Sequence, residues 1–267
     1  MEVFDILQST IYAPMLGRIY ASEHYPHIFY DEKAIALKSL IPPHPAGEKT
    51  QNQLTLLGTA IRNAGCDRYV KEFLKRHKDG IVVNLGCGLD TAFFRCDNGR
   101  TNFYEVDLPE VINYRKFVIE DTDRDHLIAC DAFKPQWIQE VRKNHPNEAI
   151  MIIASGFFQY FTREDFKNFM KMLSYYGKIE LVFETFSTVG MKGMLRYINL
   201  MGAKTENIDL FHSNDNKELA EYVHADFIGE ELFFSKVNKK GIKLITKYKM
   251  KLYDRKGYIK FVHLGLK

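Results

Sequence analysis

Gly80-Ile-Val-Val-Asn-Leu-Gly-Cys-Gly-Leu-Asp-Thr91 is the stretch on which the reading of this chain turns. Ile81, Val82, Val83 and Leu85 make a short apolar run without helical spacing, and Gly86 and Gly88 follow at once. A strand buried on both faces of a parallel sheet has this composition. Two glycines just past its carboxyl end permit a tight turn that a ligand can approach closely. Sixteen residues after Gly88, Tyr104-Glu-Val-Asp107 reads as a neighbouring strand that ends on an acid. A carboxylate at that point of an open α/β sheet can accept hydrogen bonds from both hydroxyls of a ribose. Gly-x-Gly alone is a weak signature; joined to an acid at this remove, it points to an adenosine-containing cofactor.

Outward from this pair the alternation is regular. Strands are predicted near 81–85, 102–107, 126–129, 149–154 and 179–184, and helices near 90–96, 109–119, 135–144, 163–174 and 190–201. Asn147-Glu-Ala-Ile-Met-Ile-Ile-Ala154 is the second clear buried strand, and Thr162-Arg-Glu-Asp165 is a capping box opening a helix. This order predicts an α/β fold: a Rossmann-like, mostly parallel sheet with right-handed crossovers. Residues 1–76 read as helical, with Phe4, Leu7, Ile11, Leu16 and Ile19 in a first block interrupted by Pro14. Pro42-Pro-His-Pro-Ala-Gly47 is a turn-rich separator, and Leu54, Leu57, Ile61 and Ala64 mark a second helical block. Asp67 reads as the N-cap of a further helix through Phe73 and Leu74. Residues 187–235 read as a helical or loop excursion over the carboxyl edge of the sheet. Ile242–Tyr253 and Gly257–Leu266 read as two strands around an Asp-Arg-Lys-Gly turn. The expected organisation is one domain over 1–267: a helical cap (1–76), a cofactor-binding core (77–186), a substrate lid (187–235) and C-terminal strands (236–267).

Composition bounds the function class. The 267 residues fit one large domain, and 46% hydrophobic with 27% charged residues is ordinary for a globular protein. No apolar run approaches the ~20 residues of a membrane span. Met1-Glu-Val-Phe-Asp5 lacks a basic n-region, so a signal peptide is not expected. Cys66, Cys87, Cys96 and Cys130 lack paired spacing and read as reduced thiols of a cytoplasmic protein. A formal charge of +3 is too small by itself to argue for nucleic acid. His24-x-x-His27 has metal-like spacing but no Cys or carboxylate cluster to complete it, so no metal is expected.

These motifs resemble the class I S-adenosylmethionine-dependent methyltransferases, and more narrowly the leucine carboxyl methyltransferase family with its bacterial polyketide-type O-methyltransferase branch. The resemblance runs through Ala60-Ile-Arg62, Val82 to Thr91, Phe94-Arg95, Asp97-Asn-Gly99, Tyr104-Glu-Val-Asp-Leu-Pro-Glu-Val111, Ala154 to Phe161, and Phe261-Val-His-Leu264. It covers most of 10–186. It implies S-adenosylmethionine as cofactor and a small-molecule acceptor. By the same resemblance Arg62 would pair with the methionine carboxylate of the cofactor, a task suited to two parallel charge-assisted hydrogen bonds. Gly86, Cys87 and Gly88 would pass beside its methionine and ribose, Asp107 would hold the ribose hydroxyls, and Leu108 would pack on the adenine. Asp131 and Ala132 would sit near the adenine amine, and Ser155 would make a polar contact to the cofactor or the substrate. Two positions depart from the family pattern: Ser155 stands where Glu is frequent, and Ala92 where Arg commonly follows Asp-Thr.

Each residue also has a plainer reading. Arg62 could be a solvated charge on an amphipathic helix, and Asp107 could cap the helix opening near Pro109. Asp90 reads as the N-cap of the short helix after the glycine turn, and Asp131 as either an adenine contact or a cap before Pro135. Phe158 and Phe161 are expected in the core, Phe157 and Tyr160 facing substrate, and Cys87 as an inert buried thiol. Lys247, Lys249 and Lys251 would share one solvated strand face, with attraction of an anionic partner as the minority reading.

The mechanism expected is methyl transfer to a carboxylate or hydroxyl of a small organic molecule. Tyr160 would orient the acceptor, and His212 or His224 would serve as base where one is needed. Methylation of a protein C-terminal carboxylate, a nicotinamide-dependent oxidoreductase and a cofactor-binding protein without catalysis are the alternatives. Against the oxidoreductase, Thr91 occupies the place of a third glycine and no Tyr-x-x-x-Lys occurs. Nucleic-acid methylation is disfavoured because Ser155-Gly-Phe-Phe158 lacks the Asp/Asn-Pro-Pro-aromatic signature.

Overall fold

The computed structural model describes residues 3–40, 52–120, 122–200 and 209–266. Helices α1 (Val3–His24), α2 (Glu32–Ala36) and α3 (Gln53–Arg76) precede strand β1 (Ile81–Leu85). Then come α4 (Ala92–Cys96), β2 (Phe103–Asp107), α5 (Pro109–Val118), β3 (Asp125–Ala129), α6 (Gln136–Asn144), β4 (Ile150–Ala154), α7 (Arg163–Leu173) and β5 (Ile179–Phe186). Helices α8 (Thr188–Leu200) and α9 (Asn216–Tyr222), strand β6 (Asp226–Leu232), helix α10 (Leu244–Lys256) and strand β7 (Ile259–Leu266) complete the described chain.

The sheet runs in the order β3-β2-β1-β4-β5-β7-β6. The first five strands pair in parallel; β7 runs antiparallel to β5, and β6 antiparallel to β7. Strand order reverses between β1 and β4. In an open α/β sheet that reversal opens a crevice at the carboxyl ends of the strands.

Every residue of β1 and of β4 is buried, as a sheet covered on both faces requires. Alternate side chains feed two cores. Ile81, Val83 and Leu85 pack with Trp137 of α6 and with Phe166 and Phe169 of α7. Val82 packs on the opposite face with Leu57, Val70 and Phe73 of α3 and Met250 of α10. A third cluster joins Met15 and Ile19 of α1 to Leu89, in the loop after β1, and to Ile119 after α5. That contact seats α1 over the crevice.

Several expectations need correction. Helix α1 continues through Pro14 rather than being interrupted there. Asp67 is not an N-cap: α3 is continuous, its cap is Asn52, and Asp67 pairs mid-helix with Arg95 of α4. The turn-rich segment 42–47 lies outside the described residues. Residues 244–256 form a helix, not a strand: Thr246 and Met250, four apart, are buried, and Gly257 closes the helix in the left-handed region at φ 58°. Lys247, Lys249 and Lys251 therefore do not share a face. The second of the two expected tail strands stands as β7, but its outer neighbour is β6, drawn from the segment read as an excursion. Burial there alternates between exposed and half-exposed, the mark of a sheet edge.

Gly17 sets the approach of α1 to α3. A Cβ built there would lie 1.8 Å from Thr59 Oγ1 and 2.5 Å from the Leu56 carbonyl oxygen, and backbone cannot be moved aside as a side chain can. Gly17→Ala is expected to cost about 1–3 kcal/mol in urea unfolding, the range for overpacking.

Candidate functional site

A cavity of about 460 Å³ opens at the carboxyl ends of β1, β2 and β4, where the strand order reverses. Its floor is the loop 86–90. Gly86 and Gly88 have φ of 62° and 49°, which a side chain would strain, and a Cβ at Gly86 would lie 2.6 Å from the Phe157 ring. This close passage of backbone against an aromatic wall explains glycine at 86.

Buried charges fix the loop. Arg18 of α1 donates from Nη2 to the Leu89 carbonyl at 2.6 Å, and from Nη1 to Asp31 and Thr91 Oγ1 at 2.8 Å each. From the other side Arg115 of α5 donates to the carbonyls of Gly88 and Asp90 and lies 3.3 Å from Glu105. Asp90 accepts from Arg95 Nη1 (3.0 Å), Asn63 Nδ2 (3.2 Å) and the Thr91 amide (2.7 Å). Burial by itself would raise Asp90, but Arg95 and Arg18 outweigh it and bring the group down to about 2. Glu105, buried beneath the loop, is pushed up to about 8 by desolvation, against the pull of Arg115 and the hydrogen bond from Asn84.

Asp107 ends β2 at the cavity wall. Its Oδ2 accepts from the Gly88 amide and its Oδ1 from the Leu108 amide, each at 2.8 Å. Burial raises it, and those two amides hold it back. A carboxylate has about four acceptor positions, so both oxygens keep capacity for hydroxyl donors from a ligand. Across the cavity Arg62 of α3 lies with Nε 3.0 Å from Glu184 Oε1 of β5. The pair is not aligned as a hydrogen bond there, and both Arg62 Nε and Glu184 Oε2 are buried without a hydrogen-bond partner. The Gly156 amide also donates to Glu184 Oε1. Glu184 is raised by burial, with Arg62 opposing. A Cβ at Gly156 would fall 2.3 Å from Arg62 Nη1, so the glycine leaves room for the guanidinium at the cavity.

The structure brings the sequence-predicted residues together. Arg62, Gly86, Cys87, Gly88, Asp107 and Leu108 line the cavity, as do Asp131, Ala132, Ser155, Phe157 and Tyr160. Asp131 makes a local turn, Oδ1 accepting from the Phe133 amide, and does not cap α6, whose cap is Pro135. Ser155 Oγ lies 3.4 Å from Asn63 Oδ1. Burial pushes the Cys87 thiol well up, in keeping with an inert residue.

His212 does not line the cavity: its Nδ1 faces the Leu210 carbonyl at 2.8 Å. His224 is exposed at the end of α9. Phe158 is core as expected, but Phe161 lines the cavity and is corrected on that point. Asp90 is not the cap of α4, which is Thr91; it is a hub of the buried network. Among the described residues no cluster of three or more His, Cys, Asp or Glu is arranged to hold a metal ion.

Sequence reasoning missed Arg18, Asn63 and Asn84 on the cavity wall. Two left a trace: Arg18 stands between apolar Met15 and Ile19, and Asn84 is the polar residue of an otherwise apolar strand.

Comparison with known proteins adds three findings. The family model for leucine carboxyl methyltransferase matches residues 11–174, more than half of the chain. Tetracenomycin polyketide synthesis O-methyltransferase TcmP of Streptomyces glaucescens is 31% identical over 100 residues; the match spans 37% of this chain and 36% of that protein's length. Two crystal structures share the fold at TM-scores of 0.58. A duf574 family protein from Streptomyces avermitilis is 12% identical and matched over 94% of this chain and 97% of its own. A candidate methyltransferase from Thermobifida fusca is 14% identical, with 94% of each chain covered.

The charge network has a pH signature. Asp90 falls from an ordinary 3.8 to about 2 in the folded chain, so it stabilises above pH 4 and that contribution is lost as pH drops toward 2. Asp90→Asn is expected to be less stable than wild type at pH 7 by on the order of 2 kcal/mol, the gap narrowing between pH 4 and pH 2 in urea unfolding.

Proposed function

This chain belongs to the leucine carboxyl methyltransferase family, a family of S-adenosylmethionine-dependent methyltransferases, and from that premise we propose that it methylates an oxygen of a small organic acceptor. The observation that carries the reading is the placement of Asp107 and Arg62 on opposite walls of one cavity, above a loop that glycine keeps open. The residues present suit the cofactor's parts. Asp107 would accept from the ribose hydroxyls, and the part-free guanidinium of Arg62 would take the carboxylate. Leu108, Ala132 and Phe157 offer apolar surface to the adenine and the chain beside it. Ser155 with Asn63 presents small polar groups at the amino-acid end, with the buried Glu184 supplying negative charge behind Gly156.

When bound, the cofactor supplies an electrophilic methyl group on a positively charged sulfur. The chain's own work is to align and to keep water out. Ile11 and Pro14 of α1 close one side of the cavity, and Phe157 and Phe161 form an aromatic wall on the other. Tyr160, 44% exposed at the rim, would orient the acceptor through its hydroxyl. A carboxylate acceptor is already a nucleophile and needs no proton removed; a hydroxyl needs a base within hydrogen-bond reach. Among the described residues no histidine lines the cavity, which favours the carboxylate.

Calorimetry with S-adenosylhomocysteine tests the cofactor assignment. Micromolar binding is expected, roughly −7 to −8 kcal/mol. Arg62→Ala and Asp107→Ala should each weaken it by about 1.5–3 kcal/mol, the range for a hydrogen bond to a charged group. Tight NADH binding with no response to S-adenosylhomocysteine would overturn the reading.

Transfer of labelled methyl to a panel of small carboxylic acids and phenols tests the acceptor. Tyr160→Phe is expected to raise the acceptor KM while leaving S-adenosylhomocysteine affinity unchanged. Equal kinetics for Tyr160→Phe on every accepted compound would remove Tyr160 from the site.

A further inference from the structure

Positive charge in this protein is concentrated far from the cavity in sequence. Residues 236–260 hold ten Lys or Arg and a single acid, Asp254, a formal charge of +9; against +3 for the whole chain, the remaining residues carry −6. Such asymmetry within one chain points to an anionic partner. Part of the charge serves the fold: Lys236 pairs with Glu231, Lys260 with Glu230, and Lys239 Nζ donates to the Phe234 carbonyl. The basic side chains of α10 itself make no ion pair among the described residues.

Helix α10 sorts its residues into stripes. Thr246 and Met250 are buried and fix its inner face. At 100° per residue, Lys243, Lys247, Lys251 and Arg255, four apart, then form a ladder along one flank. Beside the ladder Leu244, Ile245 and Tyr248 make a projecting apolar ridge, 83%, 60% and 64% exposed. Three large apolar side chains so exposed on one helix are costly in water and ask for a partner that covers them. A nucleic acid would meet the ladder but leave Leu244 and Ile245 against phosphate and water. A ridge that projects this far does not form the groove that takes a partner's helix. The interface of an anionic bilayer suits both stripes at once, with apolar tips at the acyl boundary and ammonium groups at the level of the phosphates. The C-terminal end of α10 leads through Gly257 into β7, where Ile259 pairs with Phe186 at the carboxyl edge of the sheet, the edge that holds the cavity.

We propose that α10 docks this protein onto the surface of an anionic lipid bilayer. Leu244, Ile245 and Tyr248 enter the headgroup–acyl boundary, and Lys243, Lys247, Lys251 and Arg255 meet the lipid phosphates.

Co-sedimentation of the full chain with phosphatidylcholine vesicles, with and without phosphatidylserine, tests this. Binding is expected only with phosphatidylserine, and its release on raising salt from about 0.1 M to about 1 M. The double variant Lys247→Glu with Lys251→Glu should weaken partitioning by more than about tenfold. Leu244→Ser with Tyr248→Ser should weaken it by about tenfold with the charge intact. Both variants should keep wild-type affinity for S-adenosylhomocysteine and the wild-type thermal midpoint, since these side chains are on the surface. As an independent readout, Tyr248→Trp should shift its emission to the blue on phosphatidylserine vesicles. Absence of binding, equal binding to phosphatidylcholine alone, or an unshifted Tyr248→Trp would overturn the proposal. So would sensitivity to the charge variant with none to the apolar one, which would mark the ladder as a site for a nucleic acid or an acidic protein.

Discussion

The loop after β1 keeps its shape because charges that solvent barely reaches leave it no alternative. Arg18, Arg95 and Arg115 converge on it from α1, α4 and α5; Asp31, Asp67 and Asp90 answer the first two, and Arg115 lies against the Glu105 carboxyl. Arg18 and Arg115 are buried, as are Asp31 and Glu105. Desolvating so many ions is expensive, and a well-packed apolar cluster could be as stable. What apolar contacts cannot do is direct donors at the carbonyls of Gly88, Leu89 and Asp90. With those carbonyls drawn toward Arg18 and Arg115, the Gly88 amide is left to Asp107 at the cavity wall. Removing one partner would strand its counter-ion away from water, a loss of about 2 kcal/mol at the partly exposed Asp90 and about 3–5 kcal/mol at a fully buried pair, so the network behaves as a unit.

The same ions tie the N-terminal helices to the sheet. Asp31 caps α2 through Oδ1, which accepts from the Ala34 amide, while Oδ2 takes hydrogen bonds from Arg18, Thr91 and Arg95. Helix α1 therefore closes over the cavity in a fixed register, bringing Ile11 and Pro14 to its wall. Loop and cover are thus one structural element, and on the proposed reading this coupling is what would keep water from the methyl group in transit. Arg62 and Glu184 repeat the device at smaller scale: a buried carboxylate beside a guanidinium that retains donors for a ligand.

The sheet was legible because composition and spacing agreed: β4 is apolar throughout and β1 in all but Asn84, and Asp107 follows the glycines at the remove expected of a ribose site. Arg62 was visible only through family resemblance, since nothing on its helix marks it off from a surface charge. Asp67 and Asp90 were misread for one reason. A carboxylate just ahead of a helical apolar run looks like a cap, and the arginine that claims it cannot be seen from local sequence. Arg18 was missed likewise, its partners Asp90 and Thr91 lying more than seventy residues on. In α10 the run Lys-Tyr-Lys-Met-Lys satisfies a period of two, but burial of Thr246 and Met250 decides for a helix. Strand β6 escaped notice because an edge strand carrying Gly229 and two glutamates lacks the apolar alternation of its neighbours.

The most direct test of the account is a crystal structure of the protein with S-adenosylhomocysteine. Both ribose hydroxyls should lie within hydrogen-bond distance of the Asp107 carboxylate and the ligand's carboxylate against the Arg62 guanidinium, with loop 86–90 unmoved. A ligand seated elsewhere, or a loop that must rebuild to admit it, would contradict the claim that buried charge has shaped the site in advance.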